Sequence, residues 1–215
     1  MTTAPRPEGR LPRGRHNLSP ETVVGLQRQR MFRALAETVS EKGFVNTRVA
    51  DILQRAGVSR ETFYEQFASK HDCFAQGFEH AVDELFGAVM TSVPPGSSRV
   101  EQFDQAIGSY LEAIASQPEL AYLCMVEVYA AGPEMGRRRV EVQRQFVNGV
   151  QLMLGAKDKD SRFACEAFVG AISSMVTARL AFGDVRGIRR LKAPFGALVR
   201  EFLDGSQART SVSIS

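Results

Sequence analysis

A stretch of twenty residues, Asp51–Lys70, constrains the fold of this chain more than any other part. Its sequence, DILQRAGVSRETFYEQFASK, predicts two short helices joined by a tight turn. Gly57 has the backbone freedom with which a helix ends, and Ser59 is a residue type that caps the start of the next helix. Phe63 and Phe67 are four residues apart, so they face the same side of that second helix. The stretch therefore predicts a helix-turn-helix unit with an apolar back and a polar surface.

The rest of the chain also predicts helices. Apolar residues recur at helical spacing between breakers such as Pro94-Pro95-Gly96 and Gly132-Pro133, and no alternating strand pattern longer than a few residues occurs. We therefore expect an all-α fold. Its expected divisions are a flexible basic N-terminal arm (1–18), a three-helix helix-turn-helix domain (19–68), a larger C-terminal helical domain (69–204) and a disordered tail (205–215).

Particular residue types predict where these helices begin and end. Ser19 is expected to cap the first helix, which ends at Gly43, and Thr47 is expected to cap the second helix. A later helix is expected from Glu119 to Ala131. Pro194 should start or kink the last helix, because proline cannot donate a helical hydrogen bond.

Composition predicts a globular protein of the reducing cytoplasm. Hydrophobic residues make up 44% and charged residues 24% of the 215. Cys73, Cys124 and Cys165 lie far apart in apolar helical patterns, which indicates neither a disulfide framework nor a Cys-rich metal site. The N-terminus lacks the apolar core of a signal peptide, and two charged residues interrupt the apolar stretch 163–182. We therefore expect no membrane span.

Positive charge is concentrated in the part of the chain that contains the helix-turn-helix pattern. Residues 1–70 hold 12 Lys and Arg against 7 Asp and Glu, a balance of +5. Residues 71–215 hold 15 against 17, a balance of −2. A basic segment of this kind attracts phosphates independently of sequence, and a polar helix face suits the DNA major groove.

The sequence of residues 31–70 resembles that of the N-terminal DNA-binding domain of the tetracycline-repressor (TetR) family. The resemblance rests on Gly43-Phe44, Thr47, Val49, Asp51-Ile52, Ala56-Gly57-Val58-Ser59-Arg60, Thr62-Phe63-Tyr64, Phe67 and Ser69-Lys70. The remaining residues agree only in length and helical character. The resemblance implies a homodimeric, ligand-responsive bacterial transcriptional regulator, most often a repressor, that binds a palindromic operator.

The expected DNA contacts lie on the two short helices and on the basic arm. Arg60 and Thr62 are expected at base edges, where arginine can pair with guanine and threonine can contact thymine. The resemblance implies that Tyr64 and Lys70 contact phosphates. The other candidate contacts are Thr47, Arg48 and Ser59, with Arg13 and Arg15 of the arm in the minor groove. Capping of the helix is by itself a sufficient explanation for Ser59, and it is the favoured one.

Two acidic residues depart from the family pattern. Glu61 stands where a small residue is usual, and Glu65 stands where a basic residue or histidine often binds phosphate. They motivate an alternative hypothesis, in which a helical small-molecule-binding or partner-binding protein keeps the fold without specific DNA recognition.

The C-terminal half contains a candidate effector pocket, whose effector the resemblance implies to be a small, largely apolar molecule. The candidate lining residues are Tyr110, Tyr122, Met125, Glu127, Tyr129 and Phe146. This mixture is equally typical of a core, and the resemblance favours the pocket. Glu127 needs a partner, since a carboxylate among aromatic residues is costly to bury.

The last two long helices are expected to form a dimer interface, because the helix from 161 to 182 is apolar on most sides. The candidate interface residues are Phe168, Ile172, Met175, Arg179, Phe195, Leu198 and Phe202. No catalytic arrangement, phosphate loop or metal-ligand cluster stands out, so an enzyme is the weakest hypothesis and no cofactor or metal is expected.

Overall fold

The chain folds into ten α-helices and one short 3₁₀ segment within residues 19–212, the part that the computed structural model describes, with side chains up to residue 203. This part contains no strand, which confirms the predicted all-α class. The helices are α1 (Pro20–Asn46), α2 (Val49–Ala56), α3 (Arg60–Gln66), α4 (Lys70–Ser92), α5 (Arg99–Ser116), α6 (Pro118–Met125), α7 (Pro133–Leu154), α8 (Lys159–Ala181), α9 (Val185–Arg190) and α10 (Lys192–Val212). The 3₁₀ segment is Glu127–Tyr129.

The predicted start of α1 is confirmed, and the turn into α2 differs from the prediction. The Ser19 hydroxyl accepts from the Thr22 N–H at 3.2 Å. The chain turns at Gly43, which adopts φ 78°, a conformation that side chains with a Cβ rarely adopt. The predicted cap of α2 at Thr47 is wrong: Arg48 is the N-cap, and the Thr47 hydroxyl instead donates to the Gly43 carbonyl at 2.8 Å. Thr47 therefore stabilises the turn that Gly43 makes.

The helix-turn-helix unit packs on an aromatic core that continues into the C-terminal half. Phe63 and Phe67 are buried, with ring centroids 5.3 Å apart, and Phe32 of α1 lies 5.6 Å from Phe67. The same buried cluster includes Leu123 and Val128, which belong to the C-terminal half of the chain. The helices α2 and α3 thus share one core with the 3₁₀ segment.

The C-terminal half has a second core, built mainly from α5, α8, α9 and α10. The expected helix 119–131 is interrupted, because α6 ends at Met125 and the 3₁₀ segment follows. The chain also breaks at the buried residue Leu191 between α9 and α10. Pro194 lies in the first turn of α10, where a helix needs no N–H donor, as predicted.

The C-terminal end differs from the prediction. α10 continues to Val212, past Gly205, where the sequence predicts a disordered tail. Residues 206–212 include no proline or glycine, so nothing in the sequence stops a helix that is already formed.

Candidate DNA-binding site and ligand cavity

The start of α3 presents an exposed cation beside an exposed aromatic ring. The Arg60 guanidinium lies 5.4 Å from the centroid of the Tyr64 ring, and Tyr64 is 44% exposed. The Ser59 hydroxyl accepts from the Thr62 N–H at 3.0 Å and lies 2.9 Å from the Thr62 hydroxyl. Ser59 is therefore the N-cap of α3. Arg60 and Tyr64 are left free to contact a partner on the surface.

The two acidic residues of α3 lie on the same surface. Glu61 and Glu65 are exposed, and neither forms an ion pair with any described residue. Glu61 directly follows Arg60 and Glu65 directly follows Tyr64, so α3 carries one positive and two negative side chains. This charge does not favour DNA by itself, and DNA recognition by α3 would require directed hydrogen bonds.

The start of α2 adds a second exposed cation. Arg48 is exposed, and its backbone N–H donates to an Asp51 carboxylate oxygen at 2.7 Å. The Lys42 ammonium, 2.9 Å from Asp51, and this N–H hold the pKa of the Asp51 carboxyl below its ordinary value. Thr47 was predicted to offer its backbone N–H to a phosphate. In the structure this N–H donates to the Phe44 carbonyl at 3.2 Å, and the residue is only 2% exposed, with its hydroxyl bonded within the turn.

Lys70, the predicted phosphate contact, is bonded within the protein. Its ammonium donates to the carbonyls of Phe44 and Thr47, both at 2.7 Å, and lies 4.1 Å from the centroid of the Phe44 ring. Burial lowers the pKa of Lys70. The side chain therefore joins the start of α4 to the end of α1, and a phosphate would have to compete with two carbonyls for it. Arg13 and Arg15, the predicted arm contacts, lie outside the described residues.

A cavity of about 570 Å³ lies among α4, α5, α7 and α8. Three of the predicted pocket residues, Tyr110, Met125 and Phe146, line it. The Phe146 ring stacks on Phe86 with centroids 4.4 Å apart and meets the Tyr110 ring edge-on at 5.4 Å. The other three predicted residues, Tyr122, Glu127 and Tyr129, do not line it. Tyr122 lies within α6, and Glu127 and Tyr129 lie in the 3₁₀ segment that follows it, where Tyr129 is 63% exposed.

Sequence reasoning missed the most polar group of this cavity. Arg139 of α7 lines the cavity, is 9% exposed, and donates to the Ser173 hydroxyl at 2.6 Å. In the sequence Arg139 belongs to the run Arg137-Arg138-Arg139, and a short basic run on an amphipathic helix usually lies on a solvated face. The spacing of the residues could have predicted its burial, because residue 139 lies on the same helical stripe as the apolar residues Met135 and Phe146. Burial raises the pKa of Tyr110 to about 12, with the Arg139 charge acting in the opposite direction.

A second opening is less suited to an apolar ligand. This groove of about 980 Å³ lies along α4, α5 and α6, and its lining includes the carboxylates Glu84 and Glu112 as well as Lys192. The cavity that Arg139 lines has the aromatic walls, so it is the candidate ligand site.

Glu127 connects the C-terminal half to the turn before α2. Its carboxylate accepts from the Phe44 N–H at 2.7 Å. The partner that the sequence required for Glu127 is thus a backbone N–H next to Gly43, and not a ligand.

The predicted dimer residues divide into two groups. Met175 and Leu198 are 39% and 52% exposed, while Arg179 and Phe202 are half-buried. The remaining three point inward: Ile172 lines the cavity, and the Phe168 ring packs on Phe195 with centroids 5.0 Å apart. The exposed apolar face of α8 instead includes Phe163, Ala167, Ala171, Met175, Ala178 and Phe182.

Comparisons with known proteins agree with this geometry. The family model described as bacterial regulatory proteins, tetR family, matches residues 32–76. The chain is 22% identical over 152 residues to the fatty acid metabolism regulator protein of Bacillus subtilis, covering 67% of this chain and 78% of that protein. It is 31% identical over 138 residues to the HTH-type transcriptional regulator EthR of Mycolicibacterium smegmatis, covering 55% of this chain and 60% of that protein.

A solved structure has a similar fold over most of the chain. The regulator FadR from Bacillus subtilis in complex with stearoyl-CoA superposes with a TM-score of 0.69 at 20% identity, covering 79% of this chain and 96% of that one. The matched region, residues 32–76, contains the whole of α2 and α3 with the turn between them. Residues 32–76 therefore form a DNA-binding domain of the kind found in the tetR family of bacterial regulatory proteins.

Proposed function

We propose that this protein binds a palindromic DNA operator as a homodimer and that a small, largely apolar effector in the cavity releases it, so that it acts as a repressor. The observation that carries the proposal is the position of α4. This helix begins at Lys70, directly after the recognition helix, and its later turns supply Phe78, Val82 and Phe86 to the cavity wall. The single helix α4 therefore extends from the end of the recognition helix to the wall of the cavity.

The effector we propose contains an acyl chain. The cavity is of ordinary size for a ligand pocket, for which about 300–1,000 Å³ is typical, and its walls are mostly aliphatic and aromatic. The similar FadR structure is a complex with stearoyl-CoA. An apolar chain that enters between α4 and α7 would displace α4, and that displacement would change the spacing of the two recognition helices in a dimer.

The dimer we propose buries the exposed face of α8. Phe163 and Phe182 are 69% and 88% exposed, and small residues between them allow a second helix to approach closely. α8 has the length and composition of a membrane helix, with only 28% of its most apolar window buried. A second copy of the chain, packed through α8 and α10, would cover this surface. Because the proposed target is the bacterial chromosome, we place the protein in the cytoplasm.

Arg60 and Arg48 should contribute differently to DNA binding. We expect Arg60→Ala to weaken binding to the preferred site by roughly 10- to 100-fold and to relax sequence preference, since a bidentate base contact discriminates by about 1–3 kcal/mol. We expect Arg48→Ala to weaken binding to all sequences alike and to reduce the salt slope by about 1. Salt-titrated gel shifts measure both, on a site selected by the wild-type protein from random DNA and on a scrambled site.

Arg186→Ala is the matched control for this experiment, because Arg186 is exposed on α9, far along the chain from the DNA-binding helices. It should leave both affinities unchanged. Equal losses on both DNA sequences in the Arg60 and Arg48 variants would contradict the assignment of Arg60 to a base. Failure of the wild-type protein to select any site would favour the alternative, a helical ligand-binding protein without specific DNA recognition.

Glu127 should transmit the effector signal to the DNA-binding domain. Its hydrogen bond to the Phe44 N–H joins the segment after α6 to the turn before α2. We expect Glu127→Ala to leave effector affinity unchanged and to reduce the effector-induced loss of DNA affinity by about 5-fold or more, since allosteric coupling is typically about 1–3 kcal/mol. Gel shifts with and without dodecanoic acid or its coenzyme A thioester measure that ratio.

Glu119→Ala is the control for Glu127, because Glu119 is an exposed carboxylate on the neighbouring helix α6. It should keep the wild-type ratio. An unchanged ratio in Glu127→Ala would show that the signal passes through α4 alone.

A further inference from the structure

The cavity contains buried positive charge without a compensating negative group. Its lining includes two arginines, Arg99 and Arg139, and no aspartate or glutamate. Arg99 is exposed, whereas Arg139 is more than nine-tenths buried. The single acceptor that Arg139 has among the described residues is the neutral hydroxyl of Ser173, 2.6 Å from Nη2. A guanidinium has five N–H donors, so most of its hydrogen-bonding capacity is unused by the protein.

A buried charge of this kind is expensive unless it is paired. Removing an ionised group from water costs several kcal/mol, and buried arginines are therefore found with carboxylates or phosphates. The neighbouring Arg138, which is half-buried, does have acidic partners, since it forms ion pairs with Glu79 and Glu134. Arg139 has no such partner in the part of the chain that the structure describes. Its guanidinium is instead held by Ser173 at the cavity wall.

A second donor lines the same cavity. Tyr110 is in the cavity lining, and its hydroxyl has no hydrogen-bond partner among the described residues. Its phenol stays protonated at neutral pH, since burial raises its pKa to about 12. The phenol can therefore donate to an anion. Arg139 and Tyr110 lie among apolar lining residues such as Phe86, Met125 and Phe146. The other polar residues of the lining are Arg99, Gln102, Gln143, Gln145 and Ser173.

We propose that the effector carries a free carboxylate, bound by Arg139 and Tyr110, on an apolar body that fills the rest of the cavity. This inference rests on the proposed function, in which the cavity is the effector site. A carboxylate matches the planar fork of a guanidinium, and its single charge is neutralised by the single buried cation. A phosphate dianion carries a second negative charge, and the only other cation of the described lining, Arg99, is exposed to water and not buried with Arg139.

The test compares three ligands that share one alkyl chain: dodecanoic acid, dodecan-1-ol and dodecylamine. Isothermal titration calorimetry measures their affinities, below their micelle concentrations, for the wild-type protein, Arg139→Met and Arg137→Met. We expect the wild-type protein to bind the acid roughly 10- to 100-fold more tightly than the alcohol, and the amine more weakly than both, as expected when one charge-assisted hydrogen-bonded pair is gained or lost.

The variants separate recognition from stability. Arg139→Met should lose the preference for the acid while it still binds the alcohol, and binding of the alcohol shows that the cavity is intact. Arg137→Met, which alters an exposed arginine two residues away on the same helix, should keep the wild-type preference. Arg139→Lys keeps the charge without the planar fork and should keep part of the preference.

Two sets of outcomes overturn the inference. It is wrong if the wild-type protein binds the alcohol as tightly as the acid, or if Arg139→Met keeps the preference for the acid. It is also wrong if none of the three ligands binds. Gel shifts distinguish its failure from that of the proposed function: an alcohol that releases DNA as well as the acid does would leave the effector-controlled repressor standing without the carboxylate. If the acid binds through Arg139 but does not release DNA, the carboxylate site is supported and the effector-controlled repressor is contradicted.

Discussion

Ala171→Glu is expected to convert the protein into a folded monomer that has lost high-affinity operator binding. Ala171 is exposed in the single chain, at the middle of the apolar face of α8. In the monomer a carboxylate at this position is hydrated, so the fold of the single chain is unaffected. In a dimer the same carboxylate would be buried against another apolar helix without a partner, which costs several kcal/mol.

The consequence for DNA binding follows from the symmetry of the operator. One seven-residue recognition helix reads few base pairs, and the affinity of a dimer for two linked half-sites exceeds that for one by roughly 10²–10⁴-fold. We expect Ala171→Glu to lose a factor of this size. Light scattering coupled to size-exclusion chromatography measures the mass, gel shifts measure the affinity, and circular dichroism checks that the helices are retained.

Ala130→Glu is the matched control, because Ala130 is also an exposed alanine and lies after the 3₁₀ segment, away from α8 in the chain. It should stay dimeric and keep its affinity for DNA. A dimeric Ala171→Glu protein would place the interface on another surface. A monomeric one that binds the operator with wild-type affinity would contradict the role of the dimer in recognition.

The helices themselves could be predicted from the sequence, since their caps and breakers are local signals. Ser19, Ser59 and Ser69 each accept a hydrogen bond from the backbone N–H three residues later. These contacts depend on a few neighbouring residues only, and the sequence shows those residues directly. The prediction failed at Thr47, where the hydroxyl follows the turn at Gly43 and bonds backward along the chain.

Side-chain roles that depend on distant contacts could not be predicted. Lys70 finds its two carbonyl partners 26 and 23 residues earlier in the chain, and Glu127 finds its partner 83 residues away. A helix that is apolar on most sides, such as α8, has no polar face to show which side is outward. Ile172 was therefore predicted at the dimer interface and lies at the cavity. Arg139 was missed for the related reason that only its spacing showed it to be buried.

Phe63→Ala should abolish DNA binding while it leaves effector binding in place. α3 has seven residues, and helices this short do not form alone in water. The recognition helix is therefore held in place by its packing, in which the buried rings of Phe63 and Phe67 are the largest side chains from this segment. Truncation of a buried phenylalanine to alanine typically costs about 3–5 kcal/mol, comparable to the whole stability of many small domains.

The lost stability should be local. The cavity walls come from α4 to α8, so dodecanoic acid should bind Phe63→Ala with nearly wild-type affinity. Hydrogen exchange should show loss of protection in α2 and α3, with α5 and α8 still protected. Gel shifts should show no specific complex. Because Phe63 belongs to the core that also contains Leu123 and Val128, α6 should exchange faster than in the wild-type protein.

Glu65→Ala is the control on the same helix, where the exposed side chain has no ion-pair partner among the described residues. It should change stability by less than about 0.5 kcal/mol, as surface substitutions usually do. It should also raise the affinity for all DNA sequences modestly, because it removes a negative charge that would face phosphates. Specific DNA binding by Phe63→Ala at wild-type affinity would show that α3 is ordered by contacts other than this ring. A coincident loss of effector binding would show that the two cores unfold as one unit.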